Sequence, residues 1–171
     1  MNKKLYGLLI VCCLLVACDQ SSEQAIDHSA LTAQPVDKKY IWDLTDLFAD
    51  IKTWETARIQ SSDKIKQLRS LKGTLGDSAQ SLLRASDQIS QVYKDVARVY
   101  VYANLMADMD TRNAENEERS QMARNLLTEL GTAVSWYNPE LLALGESKLK
   151  AFIAQEPKLK KHGFSIENSL R

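Results

Sequence analysis

A long apolar seam in the middle of the chain is the sequence feature that most constrains the fold. Its residues recur in alternating steps of three and four, which places them on one face of an α-helix. The pattern predicts one helix over about 78–108, roughly 45 Å long. The seam consists of Leu82, Ala85, Ile89, Val92, Val96, Val99, Ala103 and Met106.

The segments on either side of the seam have the same helical character. Glycine and proline number only six and three in the whole chain, which favours helices over a β-sandwich or barrel. A short polar turn at 110–113 predicts that the seam helix and the next helix are antiparallel neighbours. The predicted fold class is therefore all-α, an antiparallel bundle of long helices. The other predicted helices span about 49–71, 114–136, 139–145 and 146–155.

The starts of these helices are predicted from side chains that can accept a hydrogen bond from the first backbone N–H groups. Asp43 and Thr45 are candidate caps at the beginning of the folded part, before the apolar residues within 47–51. Ser78 or Asp77 is expected to cap the seam helix.

The first eighteen residues have the organisation of a bacterial lipoprotein signal. Lys3 and Lys4 form a short positive region, and the twelve residues 5–16 form an apolar one that ends close to Cys18. In such signals the cysteine is acylated and the chain is cut just before it. The alternative is an uncleaved membrane anchor, but twelve apolar residues are too few to span a hydrocarbon layer that needs roughly twenty.

Cleavage at this site predicts three parts of the chain. Residues 1–17 would be the signal peptide, residues 18–39 a flexible polar tether, and residues 40–171 the helical domain. Lipid on Cys18 would attach the protein to a membrane. Asp19 resembles an inner-membrane retention signal of enterobacteria, so we expect a lipid-anchored protein of the bacterial cell envelope, on the periplasmic face of the inner membrane.

Charge and cysteine content exclude several classes of function. The chain has 22 basic and 22 acidic residues, so it offers no basic excess for nucleic acid or for anionic lipid. Its three cysteines are Cys12, Cys13 and Cys18. Because all three lie in the predicted signal, no disulfide framework, zinc ribbon or thiol nucleophile is expected downstream.

No motif in the helical part predicts a metal or catalytic residue. The two histidines, His28 and His162, belong to no H-E-x-x-H pair, and both are expected to be solvated loop residues. Residues 108–113 resemble the opening of a calcium loop, but Arg112 would face the cation and Arg119 stands where a glutamate is needed. This segment is better interpreted as a helix end followed by a cap.

Two further groups of residues have patterns that can occur in functional sites. Ser61 with Lys64 and Ser147 with Lys150 satisfy S-x-x-K, but this short pattern lacks its usual partner motifs, and we expect no catalysis there. Three tyrosines could stack on a ligand, although the one beside the seam is expected in the core or at its edge. They are Tyr93, Tyr102 and the seam neighbour Tyr100.

The order of short motifs resembles the N-terminal region of oligoendopeptidase F, in the thimet-oligopeptidase-like zinc peptidases. Residues 40–48 read YIWDLTDLF, similar to the family's W-D-L-S/T-x-L-F/Y start. A K-G-x-L stretch follows at 72–75, and residues 101–111 read VYANLMADMDT, similar to Y-A-x-L-x-x-D-x-D-T. Pro-Glu-Leu at 139–141 and the closing stretch 155–171 also match the family order.

The resemblance implies a peptidase context but places no active-site residue in this chain. The family cleaves short peptides with zinc held by the two histidines of H-E-x-x-H and a downstream glutamate, all far C-terminal to the region matched here. Zinc is therefore expected in the full-length parent enzyme and not in this chain, which we expect to be an inactive fragment. The family's helical N-terminal part packs over the catalytic domain and walls a channel that admits short peptides.

Two alternatives remain open from the sequence. The chain could be a stand-alone helical envelope lipoprotein that binds a peptide or protein partner without catalysis. It could also be a structural spacer in the periplasm.

Overall fold

The computed structural model describes residues 41–169, and this part of the chain contains helices and turns with no β-strand. The predicted all-α fold class is confirmed. The predicted signal peptide, Cys18 and the tether lie outside the described residues. None of the described helices combines the length and apolar character needed to cross a membrane. The helices are α1 (Ile51–Leu68), α2 (Ala79–Met109), α3 (Ala114–Ala133), α4 (Tyr137–Leu144), α5 (Glu146–Gln155) and α6 (Gly163–Ser169), with 3₁₀ turns at Arg69–Leu71 and Pro157–His162.

Helix α1 begins later than the candidate caps predict. Asp50 is the N-cap, and its carboxylate accepts a hydrogen bond from the backbone N–H of Thr53 at 2.7 Å. The prediction that Asp43 or Thr45 caps a helix is wrong. Asp43 accepts from the N–H of Thr45 at 2.9 Å and closes a local turn instead. An aspartate side chain can form such a turn with the residue two positions on, so it competes with helix initiation.

Helix α2 buries the seam as predicted. Ser78 is its N-cap and accepts from the backbone N–H of Ser81 at 3.0 Å. Every seam residue is buried except Met106, which is partly buried near the C-terminal end. There Tyr102 and Ala107 enter the core, and the Tyr102 ring packs edge-on against Phe48 with centroids 5.4 Å apart. This contact fixes the segment before α1 against α2.

Helices α2 and α3 form the predicted antiparallel hairpin. Asn113 caps α3 by accepting from the N–H groups of Glu115 and Asn116. The buried Asn116 amide donates to the Met106 carbonyl at 3.1 Å, and Ser120 donates to Asn104 at 3.0 Å. Because later residues of α3 meet earlier residues of α2, the two helices run in opposite directions. The interpretation of 110–113 as a helix end and cap agrees with this geometry.

The C-terminal segments divide differently from the sequence prediction. Helix α3 ends at Ala133 and not near 136, and α4 begins at Tyr137, so Pro139 lies within its first turn, where it costs no hydrogen bond. Gly145, at φ +76°, ends α4 and leads into α5, whose predicted bounds of 146–155 are confirmed. The elements over 157–169 were not predicted.

The core runs along the inner faces of α1, α2 and α3 and continues under the short C-terminal helices. Its largest fully buried side chains include Trp54 of α1, whose indole N–H donates to the Val99 carbonyl at 2.9 Å. Leu141, Leu149, Leu159 and Ile166 bury the same core from the C-terminal end. The short elements are thus held in place mainly by apolar burial, the dominant favourable contribution to folding.

Candidate functional site

A concave surface of the described chain lies in a cleft between α2, the end of α3, the start of α4 and the segment around α6. It has a volume of about 520 Å³, within the range typical of small-ligand pockets. We call it the hydroxyl cleft, because hydroxyl groups dominate its polar lining. Its polar residues are Ser86, Ser90, Tyr93, Ser135, Tyr137, Asn138, His162 and Ser165, and Ile89, Gly131 and Val134 complete the wall.

A buried hydroxyl pair forms the floor of the cleft. The Ser86 and Tyr137 hydroxyls lie 2.7 Å apart, and Ser86 also donates to the Leu82 carbonyl at 2.8 Å. Burial raises the pKa of the Tyr137 phenol, and the hydrogen bond with Ser86 opposes this only in part. The phenol therefore stays protonated at neutral pH and acts as a neutral hydrogen-bonding group.

His162, which lines the cleft, is paired with the carboxylate of Asp87, which lies outside the lining. His162 Nε2 donates to Asp87 Oδ1 at 2.5 Å, and Lys161 Nζ lies 2.7 Å from the same oxygen. Partial burial raises the pKa of the Asp87 carboxyl, but the hydrogen bonds from Lys161 and His162 outweigh it, so the pKa lies below its ordinary value. Asp87 is thus a carboxylate at neutral pH, and it ties the 3₁₀ turn before α6 to α2.

The sequence expectation for His162 is wrong. Its side chain is 13% exposed, so it is not a solvated loop residue. It approaches Asp87 across 75 positions of sequence, a pairing that no local motif predicts. His162 ends the 3₁₀ turn Pro157–His162, which the buried Leu159 holds against the core. His28 lies outside the described residues.

The arrangement does not form a nucleophilic site. Within residues 41–169, no serine hydroxyl lies within hydrogen-bond distance of His162, and Ser86 is engaged by Tyr137. A nucleophile needs a base within such reach. What the hydroxyl cleft offers is a set of neutral donors and acceptors beside apolar side chains, which is suited to binding.

Individual proteins match the chain, although no protein-family model does. The group B oligopeptidase PepB of Streptococcus agalactiae is 35% identical over 132 residues, which is 77% of this chain and 22% of that protein. The oligopeptidase PepF of Bacillus subtilis is 30% identical over 154 residues, which is 90% of this chain and 22% of that protein.

A comparison with solved structures finds a similar fold in an oligoendopeptidase. The crystal structure of oligoendopeptidase-F from Enterococcus faecium matches with a TM-score of 0.66 and 30% identity, over 71% of this chain and 24% of that one. This chain is a homologue of the N-terminal region of oligoendopeptidase F. It spans about a fifth of the length of the curated relatives it matches.

Two pairs of the motifs that carry the oligoendopeptidase F resemblance meet in the structure. Glu140, from the Pro-Glu-Leu motif, accepts hydrogen bonds from the backbone N–H groups of Gly73 and Leu75 in the K-G-x-L stretch, both at 2.8 Å. Phe48 and Tyr102, from the first and third motifs, are the edge-on aromatic pair. The motifs therefore join distant elements of the fold, which explains a common order and spacing without any catalytic role.

The residues described here do not fit the zinc site expected of the oligoendopeptidase F family. No group of three or more His, Cys, Asp or Glu side chains within residues 41–169 could hold a metal ion. His162 is the one histidine of this range, and its Nε2 is engaged by Asp87. No chemical step on this chain is therefore assigned to zinc.

The S-x-x-K lysines are engaged as cations. Lys64 Nζ lies 2.7 Å from Asp95, and Lys150 Nζ lies 2.6 Å from Glu146. The hydrogen bond to Glu146 raises the pKa of Lys150. A catalytic lysine base needs a pKa lowered towards neutrality, so the contact with Glu146 opposes that role for Lys150.

The three weighed tyrosines occupy different environments. Tyr102 is buried and Tyr100 is partly buried against the core, the position expected for Tyr100. Tyr93 remains 42% exposed and lines the hydroxyl cleft. It is therefore the tyrosine of the three that can contact a ligand in the cleft.

Proposed function

We propose that this chain forms the helical N-terminal part of a membrane-anchored zinc metalloendopeptidase that hydrolyses short peptides. The observation that carries the proposal is the combined match in sequence and structure to proteins named oligopeptidase or oligoendopeptidase. Because the match covers 22% of each of the two sequence relatives, the zinc ligands and the catalytic glutamate would belong to polypeptide outside the matched region.

In this proposal the helical part packs on the catalytic part and forms one wall of the channel that admits short peptides. Support comes from large apolar side chains left exposed on the C-terminal helices. Leu142 on α4 is 54% exposed and Phe164 on α6 is 86% exposed, and α4 packs directly against α6. Exposed apolar surface of this kind marks sites of contact with other polypeptide.

The proposal is tested on the native protein. Antibody raised against residues 80–130 is used to precipitate it from envelope fractions, and cleavage of quenched fluorescent oligopeptides by the precipitate is measured. We expect hydrolysis that a zinc chelator abolishes and that added zinc restores. Absence of hydrolysis from an intact precipitate would reject the peptidase and favour the stand-alone lipoprotein that binds a peptide or protein partner.

Anchoring through Cys18 is a separate part of the proposal, supported by the signal-like order of residues 3–18. The test is incorporation of a labelled fatty acid and recovery of the protein in membrane fractions. We expect Cys18→Ser to abolish both, whereas Cys13→Ser, within the apolar region 5–16, leaves both unchanged. Equal labelling of the two variants would contradict a lipid on Cys18.

A further inference from the structure

Two large apolar side chains are exposed where the described part of the chain begins. Ile41 is 48% exposed and Trp42 is 53% exposed, and we call these two residues the N-terminal edge. The segment that follows them is packed, because Leu44 and Phe48 are buried in the core. The fold therefore holds this segment in place and leaves the N-terminal edge on the surface.

Contacts with α2 give the N-terminal edge a defined position. The Arg98 guanidinium lies 4.7 Å from the centre of the Phe48 ring, and Arg98 Nη2 donates to the Asp46 carbonyl at 3.4 Å. A cation over an aromatic face is attracted by the negative charge of that face. The Phe48 ring also packs edge-on against Tyr102. Because these contacts attach the segment to α2, the exposed Trp42 ring belongs to the folded domain.

A tryptophan beside an isoleucine suits the boundary between a membrane and water. The indole ring combines a large apolar surface with one polar N–H, and tryptophan is enriched at the level of the lipid headgroups. Charged residues of both signs lie close to this edge in the sequence, so the attraction would come from apolar contact and not from net charge. They are Asp37, Lys38, Lys39, Asp43 and Asp46.

The place of the N-terminal edge in the chain makes a lipid surface its neighbour. About 22 residues separate Ile41 from Cys18, the predicted site of the lipid, and a flexible chain of that length has a root-mean-square span of about 25 Å. A short flexible linker keeps what it joins at an effective concentration of about a millimolar. Weak attraction of Ile41 and Trp42 to the membrane is then sufficient for contact.

We propose that the N-terminal edge lies in the headgroup region of the membrane to which Cys18 attaches the protein. This inference rests on the anchoring part of the proposed function. The Trp42 ring and the Ile41 side chain are then buried among the lipids. This second contact, beyond the lipid on Cys18, restricts the orientation of the helical domain on the membrane surface.

The experiment measures whether lipid reaches Trp42. The 171-residue chain is expressed, and the protein purified from membrane fractions is reconstituted into phosphatidylcholine vesicles whose brominated acyl chains quench tryptophan emission on contact. The chain has three tryptophans, and Trp54 is buried in the core. We expect quenching that falls at least about twofold in Trp42→Phe and is unchanged in the matched control Trp136→Phe, with both variants retaining their helical circular dichroism.

Quenching by dissolved iodide distinguishes lipid from the other surroundings of Trp42. Emission from Trp42 that iodide quenches and brominated lipid does not would show that the ring faces water. Emission protected from both quenchers would show that another polypeptide, such as a second copy of the chain, covers the ring. Either result would overturn the inference.

Flotation of the protein with the vesicles is measured first and separates this inference from the anchoring on which it rests. Failure to float would reject both together. Flotation with equal bromine quenching in Trp42→Phe and the unaltered chain would reject the inference alone. The peptidase assay on the native protein is independent of either result, because the vesicle experiment measures no hydrolysis.

Discussion

Glu140 shows at the scale of one residue how a partly buried carboxylate holds two segments together. It accepts from the N–H groups of Gly73 and Leu75, both at 2.8 Å, and thereby fixes the turn between α1 and α2 against α4. Glu140→Ala leaves both N–H groups without this acceptor, so we expect a loss of about 1–3 kcal/mol in the free energy of unfolding. Urea denaturation of the 171-residue chain measures this change in the free energy of unfolding.

Glu118→Gln is the control for Glu140. Glu118 lies exposed on α3 and is not among the ion-paired residues of the described chain. We expect its replacement to change the free energy of unfolding by less than about 0.5 kcal/mol. A similar effect of the two substitutions would show that Glu140 is not a structural link.

The free energy of unfolding is expected to depend on pH through Asp87, and the direction follows from the pKa of its carboxyl. The pKa of its carboxyl lies below the ordinary value in the folded protein, so the unfolded chain binds its proton more readily. Its contribution to stability is therefore present above the unfolded pKa of about 3.9 and is lost as pH falls through the folded value. The side chain is 40% exposed, so solvent screening limits the contribution to about 1 kcal/mol or less.

The measurement compares Asp87→Asn with the unaltered chain at two pH values. We expect the variant to be less stable at pH 7, and the difference to shrink as pH falls below about 3.9, where the carboxyl is protonated first in the unfolded chain and then in the folded protein. Taking the difference removes the contribution of the other carboxyl groups. A difference that is the same at both pH values would contradict the ionic role of Asp87.

At the scale of elements, replacing either of two glycines with alanine is expected to change the stability of the protein in opposite directions. Gly131 lies within helix α3, where an added Cβ meets nothing, so Gly131→Ala should raise stability by about 1 kcal/mol. Gly145, at φ +76°, separates α4 from α5 in a conformation that side chains disfavour, so Gly145→Ala should lower it by about 1 kcal/mol. Thermal unfolding of both variants tests the assigned backbone conformations, and a shift of the same sign would contradict them.

The sequence predicted the elements whose burial is periodic. The seam of α2 and the antiparallel pairing of α2 with α3 follow from spacing and from a short polar turn, and both are found. The start of α1 and the end of α3 were misplaced because competing local hydrogen bonds and short turns decide such boundaries. The segment 157–169 was missed because its elements are six and seven residues long and carry one buried apolar residue each.

The candidate site was largely beyond the reach of sequence reasoning. Its lining comes from α2, α3, α4 and the α6 segment, which are close only after folding. The sequence indicates Tyr93 as a possible ligand contact, and its position in the hydroxyl cleft fits that role. The sequence predicts a solvated His162, because nothing near it in sequence indicates its partner Asp87, 75 positions away.

At the scale of the whole molecule, we expect copies of the isolated chain to associate with one another through exposed apolar side chains. Leu142 and Phe164 lie on α4 and α6, elements in mutual contact, and both are more than half exposed. Replacing both with serine should lower the sedimentation-derived mass of the 171-residue chain towards the monomer with little change in stability, because neither residue belongs to the core. Unchanged association in the double variant would indicate that these helices are not a contact surface.

The mass of the native protein shows whether this chain is part of a longer peptidase, because the curated relatives that match it are several times longer than the matched region. The measurement is an immunoblot of envelope fractions with antibody against residues 80–130. We expect a band several times larger than the 19.3 kDa of this chain. A single band near 19 kDa would contradict it, and would identify a stand-alone helical protein whose function is binding.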